Sequence, residues 1–361
     1  YPNNLLLRVT ALPHLLSSFR LLYPGRTLLY TGTVFGGQVT GSYGSGKTHT
    51  LFHIKHFLTG QGPPSVEVIY FDIGPMKAKT HYSQLHRSFL DRLSRDRVKQ
   101  LVDTFVSKNV GPNLEAKLKQ YFPTADVANA MRGLSFGSTQ SLPAWKWLVG
   151  ENLSDDQQQM LSLTKNLTEP GELIEVLFSV GKLMKSEENK KIIYLVDEAE
   201  ELGRITNADA SASFEWALRQ LADNDNKNIG FVFAARATTG EELPFILNSE
   251  AIKSRIGENS IIDIQHFGGV QDVKVFVMDL LANLIDGEEA RDKIHKAGLD
   301  TKVEFFPFTE SSLDSFCEYI HENPGRALPR AIIESINECA VSAFRAGDAL
   351  IDDNRVEAMR R

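Results

Sequence analysis

The stretch GSYGSGKTHT, Gly41 to Thr50, decides the fold. Gly41, Gly46, Lys47 and Thr48 meet the spacing G-x-x-x-x-G-K-[ST], with further small residues at Ser42, Gly44 and Ser45, while Tyr43 and His49 are the bulky exceptions. Phosphate oxygens need several converging donors, and a loop with little Cβ bulk can turn its backbone N–H groups inward around them. Upstream, Gly37-Gln38-Val39-Thr40 reads as the end of a short strand; downstream, Thr50 to Leu58 carries apolar residues at helical spacing. Strand, glycine loop and helix in that order form the context a phosphate-binding loop requires, and a chance glycine-rich turn would not need it. The helix N-terminus adds partial positive charge beneath the phosphates. In such a loop Lys47 reaches the β and γ phosphates and Thr48 binds Mg²⁺, so ATP with Mg²⁺ is the expected ligand pair.

A phosphate loop becomes hydrolytic only when something positions the metal and activates water. KKIIYLVDEAE, from Lys190 to Glu200, supplies both at the end of a continuous apolar run, Ile192 to Val196, that reads as a fully buried parallel strand. Open parallel sheets place ligands beyond such strand ends. Asp197 is the candidate for the metal shell, and Glu198 for polarising the attacking water. A solvated acidic turn, extended by Glu200 and Glu201, is the plainer alternative.

The chain has 361 residues, 42% hydrophobic and 24% charged, enough for a large core and ordinary for a globular protein. No apolar run approaches the roughly 20 residues of a membrane span, and Leu5-Leu6-Leu7 is too short for a secretion signal. Cys317 and Cys339 fall in apolar helical patterns and form no C-x-x-C pair, so they read as buried thiols of a cytoplasmic protein. The net charge of −7 argues against a generally basic nucleic-acid binder. From Pro75 to Lys99, however, seven basic residues stand against two acidic ones, a local +5 that leaves −12 on the remainder.

Periodicity divides the chain. Residues 1–36 mix short apolar pieces with Pro13, Pro24 and Gly25, end near a strand-like run at Thr27 to Tyr30, and are expected to cap the adenine side of the loop. A core of residues 37–266 holds strands at 66–73, 192–196, 229–235 and 261–264, interrupted over about 94–189 by amphipathic helical patterns alone. From 267 to 361 the pattern is helical. The fold class is therefore α/β: a P-loop three-layer αβα domain with a helical insertion, followed by an all-α lid.

With these motifs, the strand FVFAARATTG, the segment AIKSRIG and the C-terminal NPGRALPRAI, the chain resembles the AAA+ ATPases, in particular their origin-recognition-like branch, over most of its length. Tyr43 and His49, the insertion segment WKWLVGENLS and LVDEAEEL are locally similar to the ATP-binding domain of BREX-type phage-defence ATPases. The resemblance implies ATP hydrolysis by a homo-oligomer with shared sites. It places Arg255 where the family carries an arginine finger, Arg236 or Thr238 at the first sensor position, and Arg326, or Arg330 one turn on, at the second. An exposed arginine before a turn is the alternative for Arg255.

In ring-forming relatives the loop after the second strand faces a central channel, which makes Lys77, Lys79 and Tyr82 candidate DNA contacts, against an ordinary solvated basic loop. The helix that follows, with Arg87, Arg92, Arg95, Arg97 and Lys99, is expected to track phosphates or to pair with acidic groups. Trp145 and Trp147 are expected to pack rather than to stack on bases. Three readings follow: an oligomeric DNA-associated motor, loader or defence component working with other proteins of its system; a nucleotide-gated assembly switch that docks partner proteins; and a scaffold that binds ATP with little turnover.

Overall fold

The computed structural model describes residues 36–60, 66–111, 114–135, 137–223, 228–237, 244–256, 261–264 and 267–360. The expected N-terminal cap with its strand-like run at 27–30, and Thr238, lie outside the described residues.

β1 (Gly36–Gly41), β2 (Val66–Asp72), β3 (Lys191–Asp197), β4 (Ile229–Arg236) and β5 (Ile261–Ile264) form one sheet in the order β2-β3-β4-β1-β5. The pairs β1–β4, β2–β3 and β3–β4 are parallel. Helical crossovers cover both faces of such a sheet, which explains why β3 is buried along its whole length except Lys191 and why its sequence shows no alternation. The register aligns Gly41 with Arg236 and Asp72 with Asp197. The carboxyl ends of four strands thus carry Gly41, Asp72, Asp197 and Arg236 along one edge.

α1 (Lys47–Gly60) opens directly from the glycine loop and buries Thr50, Leu51, Ile54 and Leu58, the i, i+1, i+4, i+8 stripe that faces the sheet. Between β2 and β3 every described element is a helix: α2 (Tyr82–Leu93), α3 (Arg95–Lys108), α4 (Leu114–Tyr121), α5 (Ala125–Ser135), α6 (Gly137–Leu148), α7 (Asp155–Leu161) and α8 (Pro170–Glu188). The single basic helix expected after the second strand is two helices. Ser94 separates them with φ 78° and ψ 147°, and its Oγ caps α3 by accepting from the Arg97 N–H. α7 was not evident from periodicity; it starts at a capping box between Ser154 and Gln157. Trp145 and Trp147 lie in the hydrophobic core, and the Trp147 indole donates to the Lys165 carbonyl at 2.9 Å.

A short 3₁₀ turn (Ala199–Arg204) follows β3, then α9 (Ala208–Asp223); α10 (Phe245–Asn248) and α11 (Glu250–Ile256) lie between β4 and β5. α12 (Val270–Leu284), α13 (Gly287–Ala297), α14 (Glu310–Glu322), α15 (Pro329–Ala346) and α16 (Asp353–Met359) complete the chain. These last helices enclose their own core around Phe276, Phe308, Phe316, Ile320 and Ile332. Cys317 and Cys339 are buried there, and burial pushes both thiols up to about 12, which keeps them protonated. The chain divides into two compact units, one of described residues within 36–41 and 47–263, the other within 42–46 and 264–360.

Candidate nucleotide site

In the sheet unit, the residues read from the two motifs converge. The Thr48 hydroxyl, one residue into α1, donates to Asp197 Oδ2 at 2.6 Å across 149 residues of sequence. Lys47 Nζ donates to the Gly41 carbonyl at 3.0 Å, which folds its side chain back over the end of β1. Burial lowers the Lys47 pKa; Glu200 and Asp197 act against that shift, and Arg236 adds to it. A cation so placed is partly desolvated, which strengthens its interaction with a phosphate oxygen that reaches it.

Asp197 is 5% exposed, and three hydrogen bonds hold its carboxylate: the Thr48 hydroxyl and, at 3.0 Å, the Tyr70 hydroxyl on Oδ2, and the Glu198 N–H on Oδ1 at 2.9 Å. Glu198 is exposed and takes a left-handed backbone, φ 55° and ψ 33°. That turn carries the chain out of the strand and leaves the carboxylate on the open edge. Its pKa is raised, first by desolvation and then by Asp72, Asp197, Glu200 and Glu201, so it is a stronger base than a solvated glutamate. Glu200 accepts from the Arg236 N–H at 3.0 Å and Glu201 from the Met76 N–H at 3.2 Å, so these acids tie neighbouring strand ends together. A hydroxyl and a buried carboxylate 2.6 Å apart are hard oxygen donors that suit Mg²⁺, which binds through few protein ligands and keeps the rest for water and phosphate. Thr48 and Asp197 would hold it. His49 is exposed on the first turn of α1.

In the other unit, Ser42 to Gly46 form a turn with the Ser45 N–H donating to the Ser42 carbonyl at 3.2 Å. Gly44 and Gly46 have φ +79° and +103°, where an L side chain is strained. Arg330 meets this turn: its N–H donates to the Gly44 carbonyl at 3.4 Å, its guanidinium lies 5.0 Å over the Tyr43 ring and also bonds the Tyr43 hydroxyl. A Cβ added at Gly44 would stand 3.2 Å from Arg330 Cβ. Arg326 points elsewhere, donating to Ser335 Oγ at 3.1 Å and Glu338 at 3.4 Å and lying 5.6 Å over Tyr319. Of the two arginines weighed for the second sensor position, Arg330 is therefore the one in contact with the glycine loop.

The remaining candidates lie on α11 and on the loop and helix after β2. Arg255 is exposed on α11 and paired with Asp223 at the end of α9. Tyr82 requires correction: it is 1% exposed, with its ring edge-on to Phe214 at 5.8 Å, and so presents no face to a nucleic-acid base. Its place on a helix with Leu85, Phe89 and Leu93 makes it part of the buried stripe. Lys77 and Lys79 are exposed on the loop after β2. On the helices that follow, Arg87 pairs with Asp91 and Glu151, Arg97 with Glu67 and Glu188, and Lys99 with Asp103. Those cations are compensated within the chain.

Motif reading passed over Tyr70, Asp72 and Glu200. Tyr70 and Asp72 come to the site only because β2 pairs with β3 in a particular register, a long-range fact with no local signal.

Sheet order, glycine loop and acidic strand end together define the class of fold, a P-loop αβα domain with a helical region. No family model matches the chain, and no curated protein matches it. It is similar to domain III of the Thermotoga maritima replication initiation protein DnaA, at 12% identity over 95% of this chain and 90% of that one, with TM-score 0.37. It is also similar to Cdc6p from Pyrobaculum aerophilum, at 13% identity, 97% and 66% coverage and TM-score 0.44, and to the ORC2 protein of Aeropyrum pernix, at 13%, 94% and 65%, and 0.42. The chain thus spans just under two thirds of the length of the latter two.

Proposed function

We propose that this protein is a Mg²⁺-dependent AAA+ ATPase that converts ATP and water to ADP and phosphate as a cytoplasmic homo-oligomer. The observation that carries the reading is the 2.6 Å contact between Thr48 and Asp197, which joins the two motifs at one strand edge. Lys47 binds the β and γ phosphates and neutralises charge on the transferring group. Glu198 holds and polarises the attacking water. Mg²⁺ bound by Thr48 and Asp197 supplies Lewis-acid stabilisation of phosphoryl charge. Gly41 to Gly46 supply backbone donors, and Arg236, His49 and the second-sensor arginine, Arg326 or Arg330, border the bound nucleotide. Arg255, released from Asp223, completes the site of a neighbouring subunit.

ATPase rate against protein concentration, for wild type and Arg255→Ala, tests the shared site: specific activity rises with concentration in wild type and stays flat in the variant. If no condition of nucleotide, DNA or concentration yields turnover while Lys47→Ala still binds ATP normally, the reading fails.

Two actions follow from this chemistry. A DNA-associated motor, loader or phage-defence component would use Lys77 and Lys79 on their exposed loop. The internal ion pairs of Arg87, Arg97 and Lys99, with the burial of Tyr82, favour the second: a nucleotide-gated switch that assembles with partner proteins. Salt-sensitive DNA binding that stimulates hydrolysis supports the first, and nucleotide-dependent assembly with no response to DNA supports the second.

A further inference from the structure

We propose that Tyr70 is a positioning residue for Asp197, tuning how tightly the nucleotide site takes its divalent cation. The inference rests on the ATPase reading of the site. An ionised carboxylate has about four acceptor directions. Among the described residues, three are taken on Asp197: the Thr48 and Tyr70 hydroxyls share Oδ2 at 2.6 and 3.0 Å, and the Glu198 N–H occupies one side of Oδ1. One direction on Oδ1 remains for a metal ion or a water in its shell. Without Tyr70 the carboxylate is held by the Thr48 hydroxyl and one N–H, and a second acceptor direction opens on Oδ2.

Tyr70 is itself firmly placed. It sits on β2 opposite Leu195, two residues before the pair Asp72 and Asp197, and its ring lies 4.6 Å from Phe52 on α1. Phe52 follows Thr48 by one helical turn, so a single helix carries both the threonine of the site and the ring that seats the tyrosine. A phenol hydroxyl is protonated through the neutral range and stays a donor. Outer partners of metal ligands act by fixing orientation rather than by touching the ion.

The test compares wild type with Tyr70→Phe, which keeps the ring against Phe52 and removes only the donor. ADP affinity is measured by calorimetry in EDTA and then across a Mg²⁺ titration. Tyr70→Phe is expected to bind ADP in EDTA within twofold of wild type and to need about tenfold more Mg²⁺ for half of the metal-dependent gain, the scale of an outer-partner loss. An unchanged Mg²⁺ midpoint overturns the inference, while the ATPase reading survives it. Wild type that binds no ADP, or gains nothing from Mg²⁺, overturns the reading and the inference together. In an Asp197→Asn background Tyr70→Phe is expected to add nothing; an additive effect there means that the tyrosine acts through something other than Asp197.

Discussion

In the proposed reading, Lys47 is the residue on which nucleotide affinity turns. It is half-buried, tethered to Gly41 and lowered in pKa by burial, so its charge is partly shielded from water. Lys47→Ala is expected to weaken ATP binding by about a hundredfold, the value of a charge-assisted contact in a desolvated site, while the melting temperature of the free protein stays close to wild type. Calorimetric titration checks the affinity and a thermal scan checks the fold. A variant that binds ATP as wild type does would remove Lys47 from the site. Lys47, Thr48, Asp197 and Glu198 are legible as candidates in the sequence alone, because phosphate and metal chemistry ask for those residue types in the glycine loop and at the end of a buried strand. Tyr70 did need it. A tyrosine on a β-branched and aromatic strand carries no mark of its partner until β2 and β3 are paired.

At the scale of elements, Arg97 links three of them. From α3 its guanidinium bonds Glu67 on β2 at 2.6 Å and Glu188 at the end of α8 at 2.6 and 2.7 Å. The Arg97 bonds to Glu188, opposed by burial and aided by Lys190, hold the Glu188 carboxyl at about 2, below its ordinary 4.5. The sign follows: a depressed carboxyl favours the folded state above its unfolded pKa, and that contribution is lost as pH falls from about 4.5 through about 2. Arg97→Ala is expected to cost about 1–2 kcal/mol at neutral pH, the range of a partly buried bidentate pair, and to flatten stability against pH in that acid window. Urea midpoints between pH 2 and 7 measure both effects; equal slopes for variant and wild type would contradict them.

Three residues earlier, Ser94 occupies a backbone region that glycine prefers. Ser94→Gly loses a cap worth only tenths of a kcal/mol against glycine and relieves about 1 kcal/mol or more of strain, so it is expected to raise the urea midpoint. This bend also shows why helix boundaries escaped periodicity. The apolar stripe of α2 runs on into α3 with no glycine or proline between, and only the backbone of Ser94 divides them. By contrast α7 announces itself with Ser154 and Gln157, a local signal. Buried strands were the most legible elements, since β3 and β4 are apolar on both faces.

For the whole molecule, composition excluded a broadly basic surface, and the ion pairs of α2 and α3 show where the one basic segment spends its charge. A local +5 read along the sequence overstates the field, because Glu67, Glu151 and Glu188 lie outside that segment and meet it only in the fold. No helix among the described residues is long and apolar enough to cross a membrane. The central claim concerns what the joined motifs do, namely that Glu198 activates water against a phosphate held by Lys47. Its most direct test is steady-state Mg-ATP turnover of Glu198→Gln beside wild type, with ATP affinity measured on the same samples. The account predicts ATP affinity within a few-fold of wild type and turnover lower by about a hundredfold or more, as expected when a general base is removed. Equal turnover in the two proteins would contradict it.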